Sequence, residues 1–179
     1  MELLNLDKPV RNHMSQEIER DVQGGVLYVS RRLTDEGASS WPDLLLAAAV
    51  SGTPKSLAES LFSTSALRLT ETSQRNGKQY EKAVPINAAE TLAEGEFNRF
   101  YIRAVCLQAT KLGHDDVEVY RAKAVVNPRI ESEDLIGSRF SAGRLLGDMR
   151  TSTWAESVFG LPPGPNSGLS VKIVDSQSN

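Results

Sequence analysis

The chain has 179 residues, a length typical of one domain, and its 40% hydrophobic and 24% charged residues are ordinary for a globular protein. Its net charge of −3 excludes a global basic field for nucleic acid, and its one cysteine excludes both an intramolecular disulfide and a cysteine-rich zinc site. The N-terminus lacks the pattern of a classical secretion signal, and no window approaches the ~18 apolar residues of a membrane span. We therefore expect a protein of the cytoplasm or of a virion, with no membrane partner.

The first 65 residues are predicted to form an extended arm followed by a helical layer. Because Pro9 opposes early helix propagation, residues 1–12 are expected to be extended, packed on the same chain or on a neighbour. Helical spacing of Met14, Ile18 and Val22 predicts the first helix, with Ser15 as its cap. The remaining predictions are a strand or helix start at Val26–Val29, a polar loop at Thr34–Ser40, a helix at Trp41–Ala49 with Pro42 near its start, and a helix at Lys55–Phe62 capped by Thr53.

Residues 66–86 are predicted to form a projecting β-hairpin. Leu67 and Leu69 alternate with polar residues, and Asn76-Gly77 is the strongest short signal for a hairpin turn. The hairpin is polar for its length, so we expect at least one exposed face. The candidate contact residues at its tip are Arg75, Asn76, Gly77 and Lys78.

The segment Asn87–Gly113 is predicted to be a long, mostly buried helix that organises the domain. Apolar residues occupy most sides of this helix, and a helix that is apolar on most sides is buried on most sides. Asn87 and Glu90 have the spacing of a capping box. Gly95 lies in the interior of the helix, where glycine is disfavoured, and so predicts a break or a close contact.

The last third of the chain is predicted to add a small mixed or antiparallel sheet against the long helix, in residues 87–174. Strands are expected at Val117–Val126 and Leu169–Val174, and short helices at Glu131–Ile136 and Ala142–Met149. Residues 160–168 have the prolines and glycines of a stiff irregular loop, and residues 175–179 form a polar tail. The predicted fold class is therefore α+β in one domain.

The residues that could perform chemistry do not form a catalytic set. The two histidines are about a hundred residues apart and neither has ligand spacing. Asp115, Asp116 and Glu118 could bind a hard cation or form an acidic turn before a strand. A restriction-like nuclease needs a carboxylate two residues before Lys123, where this chain has Arg121. The sequence thus predicts no cofactor and no resident metal, and favours a non-enzymatic protein.

Six residues are candidates for an interface or an anion site. Arg99 and Arg103 lie one helical turn apart on one stripe with Glu96, which can pair with Arg99 at i, i+3. The two arginines either bind an anion, bridge a subunit interface, or pair within the chain with Glu118, Glu131, Glu133 or Asp148. Of the other four, three lie in the predicted strand Val117–Val126 and one follows it, and they either contact phosphates or protect a sheet edge. These four are Tyr120, Arg121, Lys123 and Arg129.

In the order of its elements the chain resembles the shell proteins of tailed-phage capsids. The resemblance rests on the arm Met1–Pro9, the hairpin Leu67–Ile86 and the helix Asn87–Gly113, and it implies contacts between subunits through arm and hairpin. The chain is shorter than the two lobes of that fold, so a shortened relative, a virion accessory protein or an unrelated prophage protein also fits. The leading hypothesis is a non-enzymatic assembly protein that forms a homo-oligomer or binds a protein partner; the alternative is a nucleic-acid-binding or nuclease module with a local basic patch.

Overall fold

The structure, a computed structural model, describes residues 1–153, 155–161 and 167–174. Its helices and strands confirm the predicted α+β class, with a long central helix, a separate hairpin and a small antiparallel sheet. In chain order the elements are α1 (Lys8–Gln23), α2 (Asp35–Ser51), α3 (Pro54–Ser63), β1 (Thr70–Arg75), β2 (Lys78–Ala83), α4 (Ala88–Lys111), β3 (Asp116–Arg121), α5 (Ile130–Asp134), β4 (Arg139–Ser141), α6 (Ala142–Thr151), α7 (Ala155–Val158) and β5 (Leu169–Ile173).

Helix α1 begins earlier than predicted, so the extended arm is shorter than residues 1–12. The cap is Asp7 rather than Ser15, because the Asp7 side chain accepts a hydrogen bond from the Val10 N–H at 3.0 Å. Pro9 lies in the first turn, where its missing N–H costs little. Residues before the helix pack on their own chain, and the Glu2 N–H donates to the Ala122 carbonyl at 2.7 Å.

The predicted polar loop at Thr34–Ser40 is wrong, because these residues cap and begin α2. The Thr34 hydroxyl accepts from the Gly37 N–H at 3.0 Å, and this cap starts the helix at Asp35. Pro42 consequently lies inside the helix rather than near its start. The segment Val26–Val29 is neither strand nor helix. By contrast, the predicted Thr53 cap of α3 is confirmed, in a capping box with Ser56.

Helix α4 is the buried centre of the domain, as predicted. Among its fully buried side chains are Phe97, Phe100, Tyr101 and Ile102, and it packs against α1, α3, α6 and β5. The predicted capping box is wrong, since the Asn87 side chain makes no cap hydrogen bond. At Gly95 the helix continues without a break, and an added Cβ would meet no atom within 4 Å.

The sheet packs on α4 through β3 and β5, and it has the strand order β4-β3-β5, with both pairings antiparallel. Strand β3 ends at Arg121 rather than Val126. The N–H groups of Ala122 and Lys123 both donate to the Gly168 carbonyl, so the regular pairing with β5 does not continue. Strand β4 was not predicted; it has only three residues, too few for a periodic signal. The predicted helices in this region and strand β5 are confirmed, whereas much of the predicted irregular loop (162–166) and the tail (175–179) lie outside the described residues.

Candidate functional site

The β1–β2 hairpin is the most exposed regular element of the described chain. Its strands pair in the register Thr70↔Ala83 to Arg75↔Lys78, and the Asn-Gly turn closes it with φ values of 50° at Asn76 and 75° at Gly77. Both strands have exposed or half-exposed side chains along their whole length. The predicted hairpin is therefore confirmed, and both of its outer edges lack a neighbouring strand among the described residues.

Ion pairs hold the base of the hairpin on the helical layer. The Glu71 carboxylate accepts from Arg32 Nε at 2.7 Å and Arg32 Nη2 at 3.1 Å, and Lys82 Nζ lies 3.2 Å away. Hydrogen bonds from Arg32 and then from Lys82 lower the pKa of Glu71. A bridge between Leu33 and Leu67 continues this attachment toward α2. The hairpin is therefore anchored at its base while its tip remains exposed.

The tip carries two uncompensated positive charges. Arg75 and Lys78 lie directly opposite each other, are both exposed, and form no ion pair within the described ranges. Like charges at directly opposed positions destabilise a strand pair. At the base, Leu69 and Ile86 leave 89% and 92% of their surfaces exposed. The hairpin thus places cations at one end and bare apolar side chains at the other.

Arg103 is the centre of a buried charge cluster that joins α1, α4 and α6. Its guanidinium, fully buried, donates to Asp21 from Nη1 at 2.6 Å and from Nη2 at 2.9 Å, and to Glu17 from Nε at 2.7 Å. It also lies over the Phe100 ring, 4.9 Å from the centroid. Such bidentate, charge-assisted pairing compensates the loss of hydration of the buried charge.

Two more arginines complete the cluster. Arg150 donates to Glu17 from Nη2 at 2.6 Å, and Arg99 pairs with Glu96 at 3.2 Å and with Asp21 at 3.5 Å. Burial would raise the pKa of Glu17, but hydrogen bonds from Arg150 and Arg103 outweigh burial and lower it. At Glu96 burial dominates over the single partner Arg99 and raises the pKa to about 7. The cluster therefore contains one carboxyl that is poorly stabilised as an anion.

The predicted pair between Arg99 and Glu96 is confirmed. The other predicted carboxylates are wrong, because the remaining partners of the two arginines are Glu17 and Asp21 rather than Glu118, Glu131, Glu133 or Asp148. Both guanidiniums are buried, so in this conformation neither is available to a neighbouring subunit or a nucleic acid. The missed signal lies in α1, where Glu17 and Asp21 share the helical stripe of Met14 and Ile18 and so face the core.

The cations around β3 are also engaged within the chain. Arg121 donates to Glu133 at 2.6 Å, and Lys123 pairs with Glu94. The Tyr120 hydroxyl donates to the Glu2 carbonyl at 2.9 Å and so holds the N-terminal segment. Arg129 is half-buried and has a partner as well. The structure therefore brings these four residues near one strand without forming an open basic surface.

The other candidates for chemistry do not assemble into a site. The described residues contain no group of three metal-ligating side chains, and Glu118 of the acidic turn pairs with Lys172 at 2.9 Å. Burial raises the pKa of the Cys106 thiol to about 12, so the thiolate nucleophile is scarce. A cavity of about 130 Å³ beside Glu94, Glu96 and Glu156 is smaller than the roughly 300 Å³ at which small-molecule sites begin. A second cavity, of about 620 Å³ beside Pro54, Phe62 and Glu90, exceeds that volume.

No protein-family model, curated protein or solved structure was found to match this chain. Among the described residues, no helix combines the length and apolar character required to cross a bilayer. The candidate site accordingly rests on the geometry of the molecule. That geometry separates a charge-neutralised interior from a hairpin whose charged tip forms no ion pair with any described residue and whose apolar base is exposed.

Proposed function

We propose that this chain is a non-enzymatic assembly protein that self-associates through the β1–β2 hairpin. The observation that carries the proposal is the exposure of the hairpin on both strands, with Leu69 and Ile86 bare at its base. An isolated two-stranded hairpin is at best marginally stable in water. A second molecule would cover the bare side chains and add hydrogen bonds along a free strand edge.

The order of arm, hairpin and central helix supports the same proposal, because it resembles the arrangement in tailed-phage shell proteins. In this proposal the chain is phage- or prophage-encoded and acts as a virion or virion-assembly component. The buried Arg103 cluster would give a rigid body on which the hairpin is mounted. The Arg32–Glu71 pair would fix the direction in which the hairpin leaves that body.

The test is the mass in solution of the full chain over a concentration series, compared with a variant in which Thr70–Ala83 is replaced by a two-residue Asn-Gly turn. We expect the full chain to form oligomers and the shortened variant to be a folded monomer, with its helical signal retained. A strict monomer at high concentration for the full chain would overturn the proposal. So would an unchanged oligomer after the hairpin is removed.

A matched pair of substitutions separates the hairpin from general surface hydrophobicity. Leu69→Ser with Ile86→Ser removes the bare apolar side chains of the hairpin base and should weaken association. Val50→Ser with Leu112→Ser removes two apolar side chains that are also more than half exposed but lie at the ends of α2 and α4. Equal loss of association in both variants would point to non-specific aggregation instead.

The alternative function, binding of nucleic acid, has weaker support. Of the five cations proposed for it, Arg99, Arg103, Arg121 and Lys123 are paired with carboxylates, and Arg129 has a partner as well. The net charge of −3 also opposes a polyanion. Binding of duplex or single-stranded DNA that falls steeply with added salt would revive this alternative.

A further inference from the structure

The tip of the hairpin presents three side chains on one face that together have the composition of a binding motif. Arg75 and Lys78 are directly opposed, and Tyr80 lies two residues beyond Lys78, on the same face because side chains alternate along a strand. Tyr80 leaves 45% of its surface exposed. Tyrosine and arginine dominate the energetic centres of protein interfaces. A complementary surface would offer carboxylates beside apolar side chains.

Such a surface occurs on the same chain around α5. Three apolar residues before, in and after this helix are exposed, with exposed fractions of 95% at Val126, 76% at Ile130 and 41% at Ile136. Glu131 and Asp134 lie between them in sequence, are exposed, and form no ion pair among the described residues. We call these five residues the α5 patch. Its charge is opposite to that of the hairpin tip, and its apolar side chains suit Tyr80.

Another exposed acidic pair fits less well. Asp115 and Asp116 are exposed at the start of β3, but only one strongly exposed apolar residue, Leu112, lies near them in the sequence. Charge alone gives little affinity when both partners remain hydrated. An interface needs apolar side chains that lose contact with water, with charges at the margin to select the partner. The α5 patch meets both requirements.

We infer that the hairpin tip (Arg75, Lys78 and Tyr80) docks on the α5 patch of a second copy of this chain. The inference rests on the proposed self-association and specifies where the hairpin binds. The two surfaces are different parts of the chain, so each copy can give its tip to one neighbour and accept the tip of another, or two copies can exchange tips reciprocally. The contact contains charges at its margin, so added salt should weaken it.

Charge reversal tests the inference. The tip-reversed variant carries Arg75→Glu and Lys78→Glu, and the α5-reversed variant carries Glu131→Lys and Asp134→Lys. Each variant alone places like charges against each other, and we expect the dissociation constant of the oligomer to rise at least about tenfold. Mixed together, the two variants present a negative tip to a positive patch and an original tip to an original patch. We therefore expect the mixture to recover association, as should a single chain with all four reversals.

The control is Asp115→Lys with Asp116→Lys, which makes the same change in net charge at the other acidic pair and should leave the mass unchanged. The thermal midpoint of every variant is measured, because all the substituted side chains are exposed and folding should be retained. Tyr80→Ser removes only the apolar part of the tip and should weaken association without altering its salt dependence.

The outcomes separate this inference from the proposed function. If removal of the hairpin abolishes the oligomer but α5 reversal does not weaken it, the α5 patch is not the acceptor and self-association through the hairpin stands. If both reversals weaken association but neither the mixture nor the fourfold variant recovers it, the two surfaces do not meet. If the tip-reversed variant keeps its oligomer and instead loses salt-sensitive binding to DNA, the tip binds nucleic acid and the inference is wrong.

Discussion

The middle of α4 and the tip of the hairpin each carry two cations at neighbouring positions, yet they differ in where the opposite charges lie. Arg99 and Arg103 are surrounded by carboxylates of their own chain and are buried. Arg75 and Lys78 have no such partners among the described residues and are exposed. Carboxylates of the same chain stabilise Arg99 and Arg103, whereas the repulsion between Arg75 and Lys78 destabilises the strand pair. This difference identifies the hairpin, rather than α4, as the region available for contacts with other molecules.

The largest expected effect comes from removing the central guanidinium. Arg103→Met leaves Glu17 and Asp21 with fewer partners inside the protein and should lower the free energy of unfolding by about 3–5 kcal/mol. Chemical denaturation measures the loss. The matched surface change is Lys123→Met, which breaks the partly exposed pair with Glu94 and should cost no more than about 1 kcal/mol. Equal losses in the two variants would show that burial does not distinguish the pairs.

A pH titration tests Glu96, the carboxyl of the buried cluster that is least stabilised as an anion. The pKa of Glu96 is raised from 4.5 to about 7, so its protonated form is favoured in the folded state. The contribution of protonated Glu96 to the free energy of unfolding is complete below pH 4.5. It is lost as the pH rises to about 7, which lowers the free energy of unfolding by about 3 kcal/mol. Glu96→Gln should abolish that decrease, as measured by denaturation from pH 4 to pH 8.

Two comparisons serve as controls for this titration. Glu90→Gln changes an exposed carboxyl of the same helix and should keep the original pH dependence. Glu17 acts with the opposite sign: its pKa is lowered from 4.5, so its stabilisation is present above pH 4.5 and disappears as the pH falls through the lowered value. The two contributions therefore occupy different pH ranges. A Glu96→Gln variant with an unchanged slope between pH 4.5 and 7 would contradict the assignment.

The anchoring of the hairpin can be tested at Gly37, in the first turn of α2. A Cβ at this position would lie 2.2 Å from the Ala66 carbonyl oxygen, a backbone atom that also accepts from the Thr34 N–H at 2.8 Å. Gly37→Ala should therefore shift the backbone next to the Leu33–Leu67 bridge and cost about 1–3 kcal/mol, measured by denaturation. An unchanged midpoint would mean that the base of the hairpin is more adaptable than its packing indicates.

The smallest global effect is expected at the turn. Gly77 has a φ of 75°, which an L-residue adopts at a cost of about 1–2 kcal/mol. Since the hairpin lies outside the core, Gly77→Ala should leave the global unfolding transition almost unchanged while proteolysis within residues 70–83 becomes faster. Gly95→Ala is the control, because its added Cβ meets open space within a helix. A large global loss for Gly77→Ala would show that the hairpin belongs to the cooperative core.

The sequence alone determined the elements whose signals are local. The Asn-Gly turn has the backbone angles that glycine permits, the Thr53 cap starts α3, and the apolar surface of α4 is wide enough to require burial. Local signals failed where two of them competed: the polar run from Thr34 to Ser40 looked like a loop but forms the start of α2, because the Thr34 hydroxyl caps the first turn. The hydroxyls of Ser39 and Ser40 donate back to carbonyls of the helix itself, so their polarity does not require a loop.

Apart from the local pair of Arg99 with Glu96, only the tertiary structure decided the partners of the buried charged residues. Arg103 is more than 80 residues from Glu17 and Asp21 in the chain, so no window of sequence could pair them. Strand β4 exists because β3 offers it an edge, and β3 ends where Gly168 captures its next N–H groups. Hydrogen bonds and ion pairs between distant segments depend on how helices pack, whereas turns, caps and amphipathic faces depend on residues a few positions apart. For this reason the sequence indicated a hairpin and a central helix, and the packing showed which of them leaves its charges exposed.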